Sequence, residues 1–138
     1  MADQLQPGDV FLSITPELSG DNPHFHIVVI KTAADYVLVV HTTKEVDKAR
    51  QRCQKKEKIK FDHIDPDTLV LINNSHCDDL FLESAIDCNK VVLKHQDYFT
   101  SKQYYKKCTP IKVPAVIDKI KLGIKSSPTV EDSIKNLL

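Results

Sequence analysis

Three histidines and two threonines sit where a small sheet would gather them at one end. His24 and His26 open the run His24-Phe25-His26-Ile27-Val28-Val29-Ile30, and His41, Thr42 and Thr43 close the run Tyr36-Val37-Leu38-Val39-Val40-His41-Thr42-Thr43. Imidazoles titrate near neutrality, so a set of them can give and take protons at physiological pH, and hydroxyls beside them can donate to a developing oxyanion. In an extended strand alternate side chains share a face, which places His24 and His26 together, about 7 Å apart, with Phe25, Ile27 and Val29 pointing the other way. The same residues also fit a plainer role as polar positions on an edge strand.

The elements that must position them follow from residue type. Both runs are rich in β-branched residues, and the five residues 31–35 between them are polar or small, which predicts a β-hairpin. If the hairpin closes in that register, the end of the second strand returns to the start of the first, and the three histidines meet the two hydroxyls. Upstream, Pro7-Gly8-Asp9 reads as a turn into a first strand, Val10 to Ile14, after a short flexible lead at 1–6. Residues 15–23, with Pro16, Ser19, Gly20, Asp21, Asn22 and Pro23, read as a loop delivering the chain to His24.

A second set of chemically useful residues follows the hairpin. Formal charge is zero over 138 residues, yet residues 44–60 hold eight basic against three acidic side chains, and residues 61–87 hold seven acidic ones and no Lys or Arg. Lys44, Lys48, Arg50, Arg52, Lys55 and Lys56 are candidate phosphate contacts, because clustered cations release counterions from a polyanion. Arg50 and Arg52 are the sole arginines, so any forked guanidinium grip on a phosphate would come from them. The plainer reading is a charged, solvated helix or a mobile arm.

Further along, Thr68 to Ile72 reads as a buried strand, strand character returns at Val91 to Leu93, and aromatics alternate with lysines between 94 and 107. Residues 114–123 place Val116, Ile117 and Ile120 on one helical face with Gly123 as a stop, and a last short helix follows Pro128. The chain is thus mainly β with short C-terminal helices, one domain over 1–138, with 41% hydrophobic and 28% charged residues as in ordinary folded proteins. No apolar run reaches the roughly 20 residues that span a bilayer, and the N-terminus lacks an export signal, so the expected location is cytoplasmic with no membrane contact. Cys53, Cys77, Cys88 and Cys108 form no CxxC pair, and His76-Cys77-Asp78-Asp79 has no second cluster at matching spacing. The expectation is therefore reduced thiols, no metal and no cofactor.

Gly8-Asp9-Val10, the loop at 15–23, the strand from His24, Val39-Val40-His41-Thr42-Thr43-Lys44, and Leu82 to Val91 with Ser84 and Asp87 follow one another in an order that resembles the MazF/PemK-like toxins of type II toxin–antitoxin systems, relatives of CcdB. The resemblance implies a small SH3-like β-barrel. It further implies a homodimer, an antitoxin protein as partner, and metal-independent cleavage of single-stranded RNA by an Arg near the start of the second strand and a Thr or Ser at the end of the third. Thr42 or Thr43 meets the last requirement. In place of the arginine stand His24, Phe25 and His26, so histidine would take over: His24 or His26 as base, His41 as acid, and Thr42 or Thr43 donating to a phosphate oxygen. Two other readings stay open. One is a barrel of the same kind that binds nucleic acid or protein without chemistry. The other is a thiol hydrolase, since Pro7-Gly8-Asp9-Val10 followed by a histidine before an apolar strand also resembles NlpC/P60-like papain relatives, with Cys88 or Cys108 as the partner thiol.

Overall fold

The computed structural model describes residues 4–138. In chain order the elements are β1 (Val10–Ser13), α1 (Pro16–Ser19), β2 (His24–Lys31), β3 (Tyr36–Thr43), α2 (Val46–Lys56), β4 (Leu69–Ile72), β5 (Ser84–Asp87), β6 (Val92–His95), α3 (Gln96–Thr100), β7 (Lys106–Lys107), α4 (Ala115–Ser126) and α5 (Asp132–Lys135). The fold is mainly β, as residue types require: an antiparallel sheet runs in the order β4-β5-β3-β2-β1-β7, and β6 adds to β3. The sheet is open, with β4 at one end of this path and β7 at the other.

The long strand β3 is the spine. Its first half pairs with β6, from Tyr36 opposite His95 to Val39 opposite Val92, and its last two residues pair with β5, Thr42 opposite Ile86 and Thr43 opposite Ala85. On its other side β3 pairs with β2 from Val37, opposite Lys31, to His41, opposite His26. That pairing carries one irregularity: Val28 faces Val39 and Ile30 faces Leu38, so Val29 is an extra residue, a β-bulge. The bulge keeps Val29 and Leu38 in the same buried cluster.

Each face of this sheet has its own apolar cluster. Val10, Ile27, Leu38, Val40, Ile72 and Ile86 pack under Val116, Ile120 and Ile124 of α4. Phe11, Val28, Val37, Val39, Val92 and Phe99 form the second, which also takes in Leu5 and Leu18. Period-two alternation along β2 and β3 feeds both, since every side chain has an apolar layer to enter.

Several sequence expectations change in detail. Residues 1–3 of the expected flexible lead lie outside the described residues; Leu5 is fully buried, and its N–H donates to Gln96 Oε1 at 3.0 Å. The segment 15–23 is not all loop, because Pro16 at the first turn starts α1 and Leu18 anchors it in the second cluster. The hairpin connection is four residues rather than five, with Lys31 still paired to Val37 and Asp35 in the left-handed region at φ 64°. The basic segment is a helix, α2, held by Ala49 and Cys53, one turn apart on a narrow buried face, and it ends where Lys58 turns to φ 57°.

Gly123 does not stop its helix. α4 continues to Ser126, and a Cβ at Gly123 would lie 2.7 Å from Cys88 Sγ, 3.0 Å from Cys88 Cβ and 3.2 Å from the Asp67 carbonyl. The residue is glycine because the helix lies too close to Cys88 and to the Asp67 carbonyl for a side chain. Among the described residues no helix is long and apolar enough to cross a membrane.

Candidate functional site

β2 and β3 bring the three histidines together as alternation and register dictate. His26 and His41 are direct cross-strand partners, and their ring centroids are 6.3 Å apart. His24 lies edge-on to His41 at 5.3 Å. The His24 Nδ1–H donates to the Thr42 carbonyl at 2.7 Å, tying the strand entry to the end of β3. A carbonyl only accepts, so the proton is fixed on Nδ1 and Nε2 is left as the basic nitrogen.

The three rings are not equivalent. His26 is fully buried, stacked on Phe11 at 5.0 Å, and its Nδ1–H donates to the His24 carbonyl at 2.8 Å. Burial pushes it from its ordinary 6.5 down to about 4, with His24 and Lys102 adding to the effect against the hydrogen bond to His24. His41 is 7% exposed, and burial, then its histidine neighbours and Lys90, lower it to about 3 against the opposing pull of Asp87. Both rings are therefore neutral at pH 7. Each also leaves a buried nitrogen, Nε2 of His26 and Nδ1 of His41, without a hydrogen-bond partner.

His24 is the half-buried member, and it opens onto a cleft of about 500 Å³ together with Phe25, Thr42, Lys44, Ser84 and Phe81. The two threonines part company here. Thr42 alternates to the face opposite His41 and joins the cleft wall, whereas the Thr43 hydroxyl accepts from the Glu45 N–H at 3.2 Å at the entrance to α2. The expected meeting of three imidazoles with both hydroxyls therefore reduces, on the cleft side, to His24 with Thr42.

The basic helix also differs from expectation. Arg50 is held between Asp47 at 3.0 Å and Asp65 at 2.9 Å, and Lys48 reaches Glu45 at 3.5 Å. Arg52 turns towards the buried Asp87, Nε to Oδ2 3.8 Å. Lys55 and Lys56 belong to the last turn of α2, where cations complement the helix dipole. Of the six candidate phosphate contacts, Lys44 alone lines the cleft with His24. Arg50 is thus not free to grip a phosphate in this arrangement, because acidic residues close in space already hold it.

Long-range pairing adds residues that spacing did not single out for chemistry. Continuing the β3–β5 register by one residue sets Asp87 opposite His41, and Asp87 Oδ1 accepts from the N–H and side-chain amide of Asn89 at 3.0 and 2.8 Å. Lys90 approaches the same group, its ammonium pKa lowered by burial and by Arg52. Ser84, 2% exposed, joins the cleft wall and donates to the Leu82 carbonyl at 3.2 Å. An acid and a serine at the two ends of the otherwise apolar Ser84-Ala85-Ile86-Asp87 were the available signal.

The thiols are not arranged as nucleophiles. Burial raises Cys53 to about 11 and raises Cys77, Cys88 and Cys108 as well, so a thiol hydrolase would lack its thiolate near neutrality. Among the described residues no group of three or more His, Cys, Asp or Glu is placed to hold a metal ion. Compared with known proteins, the sequence matches no family model and no curated protein.

Proposed function

We propose that this chain is a metal-independent, single-stranded RNA endoribonuclease of the toxin type, built on a small SH3-like barrel of the MazF/PemK kind. It would act in the cytoplasm as a homodimer under an antitoxin partner. The observation that carries the reading is the cleft in which His24, with its proton fixed on Nδ1, shares a wall with Lys44 and Thr42. The order of β1, the 15–23 segment, β2, β3 ending in Thr42-Thr43, and β5 bounded by Ser84 and Asp87 is consistent with it.

The chemistry follows from these groups. His24 Nε2 takes the proton of a ribose 2′-hydroxyl, and that oxygen attacks the adjacent phosphorus. The bond to the 5′-oxygen breaks, leaving a 2′,3′-cyclic phosphate on one fragment and, after the departing oxygen takes a proton from water, a 5′-hydroxyl on the other. The Lys44 ammonium and the Thr42 hydroxyl supply positive charge and a donor to the phosphorane oxygens. His41, lowered to about 3, is not an imidazolium at pH 7 and so does not serve as the acid, and His26, fully buried and weakly basic at about 4, leaves the role of base to His24.

The test is incubation of long single-stranded RNA with the protein in EDTA, with 5′-hydroxyl ends mapped. Discrete cuts carrying 2′,3′-cyclic phosphates should fall by about 10²–10⁴ in rate in His24→Ala. Cuts that persist in His24→Ala refute the assignment. The neutrality of His26 and His41 favours a second reading, a barrel that holds RNA without cutting it. Intact RNA with salt-sensitive binding would establish that one.

A further inference from the structure

Two residues beside the proposed site have no role in the chemistry above, and their setting calls for one. Phe81 is 84% exposed and, with the neighbouring Leu82, leaves apolar surface open beside the cleft. It stands between two clefts. The first holds His24 and Lys44; the second, about 550 Å³, is lined on its far side by Lys106, Lys107 and Thr109, and both share Phe25, Phe81 and Asp79 as a common wall.

Asp79 is held in a particular way. Its Oδ2 accepts from the Thr109 N–H at 2.7 Å and from the Thr109 hydroxyl, which uses one carboxylate oxygen and fixes the plane of the group. Those two hydrogen bonds, the hydroxyl first, keep the carboxyl below its ordinary range, with Lys106 adding to the effect. Asp79 is thus an acceptor-only group, half-buried in a wall between a wedge-like phenyl ring and a row of lysines.

We infer that Phe81 separates two successive nucleobases of a single strand, and that Asp79 Oδ1 accepts from the amino group of the base on the Lys106 side, so that adenine, cytosine or guanine is taken there and uracil is rejected. This rests on the RNA reading above and deepens it. Aromatic rings stack any base, whereas a fixed carboxylate accepts from amino groups such as cytosine N4. Uracil's one ring N–H lies between two carbonyl oxygens, which a carboxylate repels. Lys106 meets the phosphates on that side, offsetting the negative charge of Asp79, while Lys107 is held by Asp9 at 3.5 Å.

The experiment uses 2′-O-methyl octanucleotides, which cannot be cleaved by the proposed route: oligo-U, and oligo-U with one central A, C or G, titrated by fluorescence anisotropy. The full chain should bind each substituted oligomer about tenfold more tightly than oligo-U. Asp79→Asn, whose amide carries donors of its own, should bring that ratio to within about twofold. Phe81→Ala, on an exposed ring where folding is not at stake, should weaken all oligomers by about tenfold and leave the ratio unchanged. Equal affinity of the wild type for all four oligomers, no measurable binding of any, or a preference that survives Asp79→Asn overturns the inference. The two readings fail separately. A base preference lost in Asp79→Asn, in a protein that cuts no RNA, refutes the endoribonuclease and upholds this site; His24-dependent cuts indifferent to base identity refute this site alone.

Discussion

Lowering the pH from 7.5 to 5 should destabilise this protein by about 4 kcal/mol, through His26 and His41. In the unfolded chain an imidazole titrates near its ordinary 6.5, whereas burial holds these two at about 4 and about 3 in the native state. A group whose pKa is lowered by folding binds more protons when unfolded. Its stabilising share is present in full above pH 6.5 and is lost as the pH falls towards the folded value. At pH 5, one and a half units below 6.5, each imidazole contributes about 2 kcal/mol of that loss, and both rings are buried enough that solvent screening removes little of it. Between pH 6 and 5 the slope should approach roughly 2.7 kcal/mol per unit, the mark of two protons taken up on unfolding. Against the 5–15 kcal/mol typical of folded domains, the fall is a large fraction of the whole. Urea unfolding at pH 7.5, 6 and 5 measures it, and His41→Gln, with one such group removed, should show about half the slope. Stability that is flat from pH 7.5 to 5, or a slope that His41→Gln leaves intact, would refute the claim that these rings are neutral and buried.

The close approach of α4 to Cys88 and Asp67 predicts that Gly123→Ala destabilises by about 1–3 kcal/mol, read as a drop in thermal midpoint, with Cys88→Ala in the same chain recovering part of the loss. Arg50→Ala should leave RNA affinity unchanged and cost less than about 1 kcal/mol of stability, because its partners are carboxylates at a largely solvated surface, while Lys44→Ala should weaken binding and lower the salt dependence of the affinity; filter binding at several salt concentrations separates the two. Of the four thiols, Cys108 alone is only partly buried, so a thiol reagent should titrate one group slowly in the native protein and four after denaturation.

Much of the hairpin could be read from the chain, because period two and a polar break are local properties. The gathering of His24, His26 and His41 followed from the same alternation, and it was found. Alternation also parts His41 from Thr42, which the expectation of a single shared cluster passed over. The pairing of Ile86 opposite Thr42, which brings Asp87 towards His41, the capture of Arg50 by Asp65 and the meeting of Asp79 with Thr109 depend on contacts between distant segments, which no local pattern encodes. Burial, too, is a long-range property: His26 and His41 read as titrating groups in sequence, and only the apolar layer formed by Phe11, Val28 and Val39 makes them neutral. Gly123 shows the limit of residue preference as a guide. A mid-helix glycine costs about 1 kcal/mol relative to alanine, and here the closeness of the Cys88 side chain and the Asp67 carbonyl decides the residue.

The extra residue Val29 has a consequence for how such a chain can vary. On one side of it, the register from His26 to Val28 against His41 to Val39 is fixed by the buried rings; on the other, Ile30 and Lys31 lead through residues 32–35 into Tyr36. A bulge between these halves works as an expansion joint. An insertion or deletion in the turn can be absorbed by gaining or losing the unpaired position, without passing a one-residue slip on to the histidine end, where it would turn every side chain to the opposite layer. The turn is therefore the part of this hairpin most open to length variation among descendants of the sequence, and the imidazole end the part least able to follow it.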